Sequence, residues 1–285
     1  MTEISSITVV DSHVHFWDRS VFVYPWLDDL DEISGPYLPH GVPTHIPGAS
    51  VEQLVFVQAE CLPEQAVDEV DWVTSLAAAD RRISAIVAFA PLEASTTADI
   101  LDRLQANPLV KGIRRLIQGE TPGFASRIVA GVRSLGARNL SFDICVSHEQ
   151  LPEVIELVDL APETRFVLDH IGKPNIRSAE WSPWAGDITA LAKRHNVWCK
   201  LSGMVTEADH AGWTHADLEP YAAHVLDVFG SNRVMFGSDW PVATLAADYE
   251  TWLSVARSLV GESADDIEAV FSRTAHTFYR LGTGA

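Results

Sequence analysis

Two histidines separated by one residue, in Asp11-Ser12-His13-Val14-His15, close the first apolar run of the chain. Side chains at i and i+2 on a strand share a face, so both imidazoles would project to the same side. Such a pair suits one divalent metal, or a shared carbonyl or water oxygen, better than it suits packing alone. The last apolar run closes Met235-Phe236-Gly237-Ser238-Asp239-Trp240-Pro241. An unpaired carboxylate is costly to bury there. Asp239 is therefore expected as a metal ligand, a general base for water, or both, with a helix N-cap as the bland alternative. A third candidate is His170, in Asp169-His170-Ile171-Gly172-Lys173-Pro174. Its facing depends on which alternate residues of its strand line the interior. Gly172 and Pro174 mark a sharp exit turn, and Asp169 either orients a neighbour or caps the next segment.

These groups need elements to bring them together. Eight runs rich in Val, Ile, Leu and Phe recur along the chain: Ile7–Phe16, Leu54–Glu60, Ile83–Pro91, Val110–Ile117, Leu140–Val146, Arg165–Ile171, Val197–Gly203 and Arg233–Pro241. Several are apolar on both faces, the pattern of strands buried in a parallel sheet. Helical spacing lies between them. Ala66, Val70, Val73 and Ala77 form one stripe, and Leu151, Val154, Ile155 and Val158 another. Near the C-terminus, Ile267, Val270, Phe271, Thr274 and Phe278 form a third. Strands alternating with helices predict an α/β fold, and right-handed crossovers make a closed (β/α)8 barrel its simplest form. In that ring the first and last strands are neighbours, so Asp239 can reach the space between His13 and His15. One domain over residues 1–285 is expected, since no linker or repeat divides the chain.

The first connection is the exception. From Trp17 to Ser50 it carries Tyr24, Pro25, Trp26, Tyr37, Pro39, His40, Pro43 and His45. Long connections of this kind are usually functional. On a barrel this one would cover the C-terminal mouth, where active sites of the fold sit. It reads as a lid or specificity loop, with a passive surface excursion as the alternative.

Composition excludes several functions. With 20 Lys and Arg against 39 Asp and Glu, the formal charge is −19, a field that repels nucleic-acid backbones and anionic membranes. No apolar stretch is long enough to span a bilayer, and the N-terminus lacks a signal-peptide pattern. The three cysteines, Cys61, Cys145 and Cys199, are widely spaced and read as free thiols in a reducing, cytoplasmic setting. The oligomeric state stays open.

Taken in order, His13-Val14-His15, Asp169 to Pro174, Lys200-Leu201-Ser202-Gly203 and Phe236 to Pro241 resemble the amidohydrolase superfamily. More narrowly, they resemble its branch of sugar-lactone and muconolactone-type hydrolases. The likeness extends to Phe278-Tyr279-Arg280-Leu281. It implies a (β/α)8 TIM barrel and hydrolysis of a small lactone, most closely a fucono- or rhamnono-lactone. It also implies one divalent metal, zinc, on His13, His15 and Asp239 (with or without His170), or none, and no organic cofactor.

Three departures narrow this. Metal-rich members bridge two ions through a carboxylated lysine on the fourth strand and use histidines on the fifth and sixth. Here the fourth run carries Lys111-Gly112-Ile113-Arg114-Arg115. The fifth run has no histidine, only His148 just beyond it, and a guanidinium cannot form the carbamate. Arg273-Thr274-Ala275-His276 also stands where relatives carry Asn-Ala.

Arg114 and Lys200 are then expected to polarise the lactone carbonyl, unless they serve structural pairs with Glu60 or Asp143. Of Arg114 and Arg115, only one can face inward. Gln58 and Glu60 could bind hydroxyls, Arg115 could hold the substrate, and Trp17, Trp26 and Trp240 could stack on a ring. In the expected mechanism Asp239 activates water, and His170 orients it or protonates the leaving alkoxide. A zinc-dependent decarboxylase or C–C hydrolase of the same superfamily and a non-catalytic binding barrel are the rival readings.

Overall fold

The structure, a computed structural model, describes residues 6–282. Eight parallel strands follow one another around the sheet in chain order. They are β1 (Ile7–Val14), β2 (Ala49–Val57), β3 (Ile83–Ala88) and β4 (Val110–Ile113). Then come β5 (Ser141–Ile144), β6 (Arg165–Leu168), β7 (Val197–Leu201) and β8 (Val234–Phe236). The ring closes just past β8. Val14 bridges Trp240, the Asp239 amide donates to the His13 carbonyl at 2.8 Å, and the His15 amide to that of Trp240 at 2.7 Å. This is the expected (β/α)8 barrel.

Alternation along the strands builds two apolar layers. Val10, Val55, Val57, Ala85, Val87, Val167 and Met235 pack with Ala275, Phe278 and Tyr279 from the C-terminal helix. Leu54, Phe56, Phe142, Phe166, Leu168, Cys199 and Leu201 belong to the other layer, shared with the surrounding helices. The three predicted stripes fall on helices Ala66–Ala79 and Leu151–Leu160 and on the C-terminal run from Ala264 to Tyr279, which passes through a π-helical segment at Ala269–Arg273. Within that run Thr274 is buried and its hydroxyl donates to the Ser231 carbonyl at 3.1 Å. The residue that departs from the family pattern thus anchors the run to the segment that leads into β8.

Strand boundaries differ from the expected runs at their C-terminal ends. All eight stop two or more residues early, and past β6 and β8 His170 and Asp239 turn out of the sheet to enter the site. β2 starts earlier, at Ala49, where a two-residue strand His45–Ile46 pairs with it antiparallel. Exposed Glu52 breaks its apolar pattern.

The long first connection is ordered by its aromatics. Trp17 pairs with Tyr37 through two backbone hydrogen bonds, and its indole N–H donates to the Gly35 carbonyl at 2.9 Å. Trp17, Phe22, Tyr24, Leu27 and Ile33 form a satellite core with Ala59, at the end of β2. Burial of these rings offsets the chain entropy that a structureless loop of this length would keep.

β1 has a register irregularity between Asp11 and Val14. A local bulge re-aims side chains, and Asp11 is thereby free to act as a staple. Its carboxylate accepts from the Ser238 amide at 2.8 Å, the His13 amide at 3.1 Å and the Tyr249 hydroxyl at 3.0 Å. Burial pushes the Asp11 carboxyl up to about 6, against these hydrogen bonds. Loss of one such bond to a buried acceptor costs about 1–3 kcal/mol. Tyr249→Phe is accordingly expected to lower unfolding free energy by about that amount in urea titrations, with the m-value unchanged.

Candidate active site

The strand ends place four groups around one point. The Nε2 atoms of His13 and His15 lie 3.1 Å apart. The Asp239 Oδ1 atom stands 3.7 Å from the first and 3.5 Å from the second. The His170 ring lies 4.6 Å from that of His13, centroid to centroid. All four residues are buried.

Backbone turns set these directions. Asp239 and His170 both have left-handed backbone conformations, at φ 57° and 53°, which L-residues adopt only when the surroundings hold them there. The Asp239 amide bond to the His13 carbonyl fixes the first turn. In the second, the His170 Nδ1 meets the Ser202 hydroxyl at 2.9 Å. Two glycines make room for the rings. A Cβ at Gly203 would strike the His170 ring, and one at Gly237 would lie 2.7 Å from the His13 Cβ.

Burial lowers the pKa of His13 well below the usual imidazole value, and Lys200, His15 and Arg114 add to the effect. That of His170 also falls well below it, burial again leading and outweighing the opposing charge of Asp239. Both rings are neutral near pH 7. For Asp239, burial works to raise the pKa, but His170, His15 and Lys173 outweigh it and hold the carboxyl below its ordinary value.

This donor set fits one metal ion. His15 Nδ1 lies 2.7 Å from the Val57 carbonyl, so that nitrogen carries the proton and Nε2 is left as a lone-pair donor. Donor atoms of His13, His170 and Asp239 also fall within 4.8 Å of one another. A second ion does not fit the same surroundings. Arg114 Nη1 already stands 3.5 Å from the His13 Nε2. Lys111, the lysine of β4, feels the charge of Arg280 and does not line the cleft, so it offers no bridging carbamate there.

The sequence-derived candidates divide cleanly. His15, His170, Asp239, Arg114, Glu60 and Trp26 line a cleft of about 380 Å³ at the strand C-termini. Trp26 is held there by its indole N–H, which donates to the Ala59 carbonyl at 2.8 Å. Arg114 faces inward and donates to the Gln58 carbonyl at 2.6 Å.

Four expectations require correction. Arg115 turns away, and its guanidinium is taken up by Glu93 at 2.7 Å and Glu120 at 2.6 Å, as strand alternation demands of one of two adjacent residues. Lys200 does not reach the cleft. It has no solvent exposure and lies beneath His13, 2.7 Å from Asp143 and 2.9 Å from Asp169. Gln58 is buried, with its amide spent on Glu60. Trp240 packs against Tyr37, Phe16 and Gly41 rather than lining the cleft. His148, just beyond the fifth run, starts a helical turn and stands 3.3 Å from Glu149, with no place in the cleft lining.

Asp169, unassigned by pattern, belongs to the buried charge cluster. Burial opposes its ionisation, but Lys200, His170 and Arg114 hold its pKa below the ordinary value. Sequence reasoning gave no role to Lys173, Gln118, Cys145 or Thr206, which also line the cleft. Lys173 stood inside a motif already noted and Cys145 inside the fifth apolar run, where it read as a free thiol; Gln118 and Thr206 lie in loops that carry no periodic signal.

Comparison with known proteins shows the family. The family model described as Amidohydrolase matches residues 10–281. An L-fucono-1,5-lactonase of Burkholderia multivorans is 32% identical over 95% of this chain and 96% of its own length. Another L-fucono-1,5-lactonase, from Burkholderia ambifaria, is 30% identical over 95% of each chain. The crystal structure of an amidohydrolase from Burkholderia multivorans with bound zinc superposes with a TM-score of 0.86 at 32% identity, covering 97% of this chain and 100% of that one.

Removing one partner from a buried charge cluster strands the others, at a cost of about 3–5 kcal/mol. Lys200→Met is therefore expected to lower the thermal midpoint strongly in calorimetry, together with denaturant stability. A variant as stable as the parent would place Lys200 outside the structural cluster.

Proposed function

The chain belongs to the amidohydrolase family, and from that premise we propose that it hydrolyses a lactone, most closely a sugar aldonolactone, with water activated by Asp239. The carrying observation is the Asp239 carboxylate, held 3.5 Å from His15 and 3.7 Å from His13 on the wall of a cleft that also contains Arg114 and His170. The relatives named L-fucono-1,5-lactonases support the substrate class.

Asp239 stays ionised throughout the neutral range and is in the form that accepts a proton. A carboxylate held below its ordinary pKa is a weak base, so it needs an acidified water. A divalent ion held by His13, His15 and Asp239 would supply that acidification and would polarise the carbonyl. The chain's own residues do the rest. Arg114 presents a cation whose position is fixed by the Gln58 carbonyl, and its buried Nε has no hydrogen-bond partner among the described residues. Such a fixed donor stabilises negative charge growing on the carbonyl oxygen.

A Ser202 hydroxyl that donates to His170 Nδ1 leaves the ring proton on Nε2, where it serves the leaving alkoxide. The oxygen of water bonds to the carbonyl carbon, and the ring C–O bond breaks. Asp239 takes one proton from water and passes it to the departing alkoxide, while the His170 Nε2–H hydrogen-bonds and orients that oxygen, so the site ends in its starting protonation state. Lys200 acts through His13, whose Nδ1 lies 3.1 Å from the ammonium, and has no contact with substrate.

Asp239→Asn should reduce kcat/KM for aldonolactones by about a thousandfold or more in an acid-release assay, a loss typical of a missing base combined with weakened ligation. Near-normal rates in a folded variant would reject the assignment. Zinc titration should reach one equivalent per chain, and His15→Ala should lose most of that binding as read by metal analysis after dialysis.

A further inference from the structure

The cleft contains two cations, Arg114 and Lys173, and two carboxylates, Glu60 and Asp239. Behind them stand two further carboxylates. Asp169 lies 3.7 Å from Arg114, and Glu207 lies 3.6 Å from Lys173. Each cation thus has a carboxylate of its own, so Arg114 can still offer N–H donors to the lactone carbonyl, but neither side chain brings an uncancelled positive charge to an anionic substituent.

The two pairs are built differently. Arg114 is locked by the Gln58 carbonyl, by Asp169 and by proximity to His13. Lys173 has one long ion pair, and its side chain keeps 21% of its exposure. Its pKa is raised because its neighbours, among them the Glu207 and Asp239 carboxylates, outweigh the burial that opposes it. The pair is also anchored from both sides. The Lys173 amide donates to the His170 carbonyl at 2.8 Å, and the Arg177 amide donates to the Glu207 carbonyl at 3.0 Å. The loop after β6 and the loop after β7 are thereby tied together, with Lys173 on one and Glu207 on the other.

We propose that the Lys173–Glu207 pair is the charge selector of the cleft: Glu207 cancels Lys173, so the site accepts an uncharged lactone and turns away one bearing an anionic substituent. The inference rests on the lactone reading for its substrate, but the charge selection stands on the cleft alone. Selectivity arises here by withholding a side-chain counter-ion, since an anionic substituent at this wall meets Glu60 and a Lys173 already paired with Glu207. Removing Glu207 releases the Lys173 ammonium at the cleft wall, where an unscreened attraction over a few ångströms is large enough to shift affinity at least about tenfold.

The test uses the intact protein and a simple dianion, succinate, with binding read by isothermal titration calorimetry. Glu207→Gln is expected to bind succinate at least about tenfold more tightly than the parent, and Lys173→Gln more weakly than the parent. The double variant should lose the gain. In parallel, the ratio of kcat/KM for a carboxylated lactone to that for a neutral aldonolactone should rise at least about tenfold in Glu207→Gln. Circular dichroism establishes that each variant is folded, and Lys173→Gln provides the independent arm if Glu207→Gln is not. Unchanged succinate affinity in a folded Glu207→Gln, or affinity in Lys173→Gln equal to the parent's, overturns the selector. Tighter succinate binding with no turnover of any lactone by the parent supports the selector and rejects the lactone reading.

Discussion

A lysine ammonium sealed from water sits inside the barrel, and the site is assembled over it. Lys200 reaches this position from β7 and is held by Asp143 of β5 and by Asp169, just past β6. The Tyr279 hydroxyl adds a 2.5 Å hydrogen bond to Asp143 from the C-terminal helix. A buried charge of this kind survives only with its partners in place. Burial lowers the affinity of Lys200 for its proton, but the two carboxylates more than reverse that and raise its pKa. The cluster therefore couples three strand ends and the C-terminal helix, and it sets the Lys200 ammonium 3.1 Å and the Asp169 carboxylate 3.3 Å from His13 Nδ1, from below.

Above that layer, geometry is set where the backbone leaves the sheet. Glu60, His170, Lys173 and Asp239 all have positive φ, and all four line the cleft. Backbone in this region is unfavourable for L-residues and concentrates at functional sites. The cost is met by fixed neighbours: the β1–β8 closure bonds hold Asp239, and the Ser202 hydroxyl and the space left by Gly203 hold His170. Histidines and carboxylate so held can stay close without solvent, which is why the imidazoles of His13 and His170 remain neutral and Asp239 ionised.

The protein's surplus of acidic residues extends into the cleft. Arg114 and Lys173 are its cations, and each faces a carboxylate. An uncharged, hydroxylated ring suits such a wall, with Trp26 offering a flat apolar face. The first connection supplies that tryptophan and is held by its own aromatic core, so it shapes the mouth as a fixed wall.

The eight apolar runs, their spacing and the polar residues that end them were legible in the chain, because strand burial and helix amphipathicity impose periods on the order of residues. The pairing of His13 with His15 followed from strand alternation, and Asp239 followed from ring closure. Alternation also required that only one of Arg114 and Arg115 face inward, but which one depended on the phase of β4 within the barrel. Lys200 looked like a cleft residue for the same reason: depth along the barrel axis leaves no mark in a sequence pattern, and only the packed structure put it beneath His13. Lys173 and Glu207 come from different loops, 34 positions apart, joined by a backbone bond between segments without periodicity. Periodic elements are specified locally and could be read from the chain. Depth, facing and contacts between loops are products of the closed barrel, and only the tertiary structure decided them.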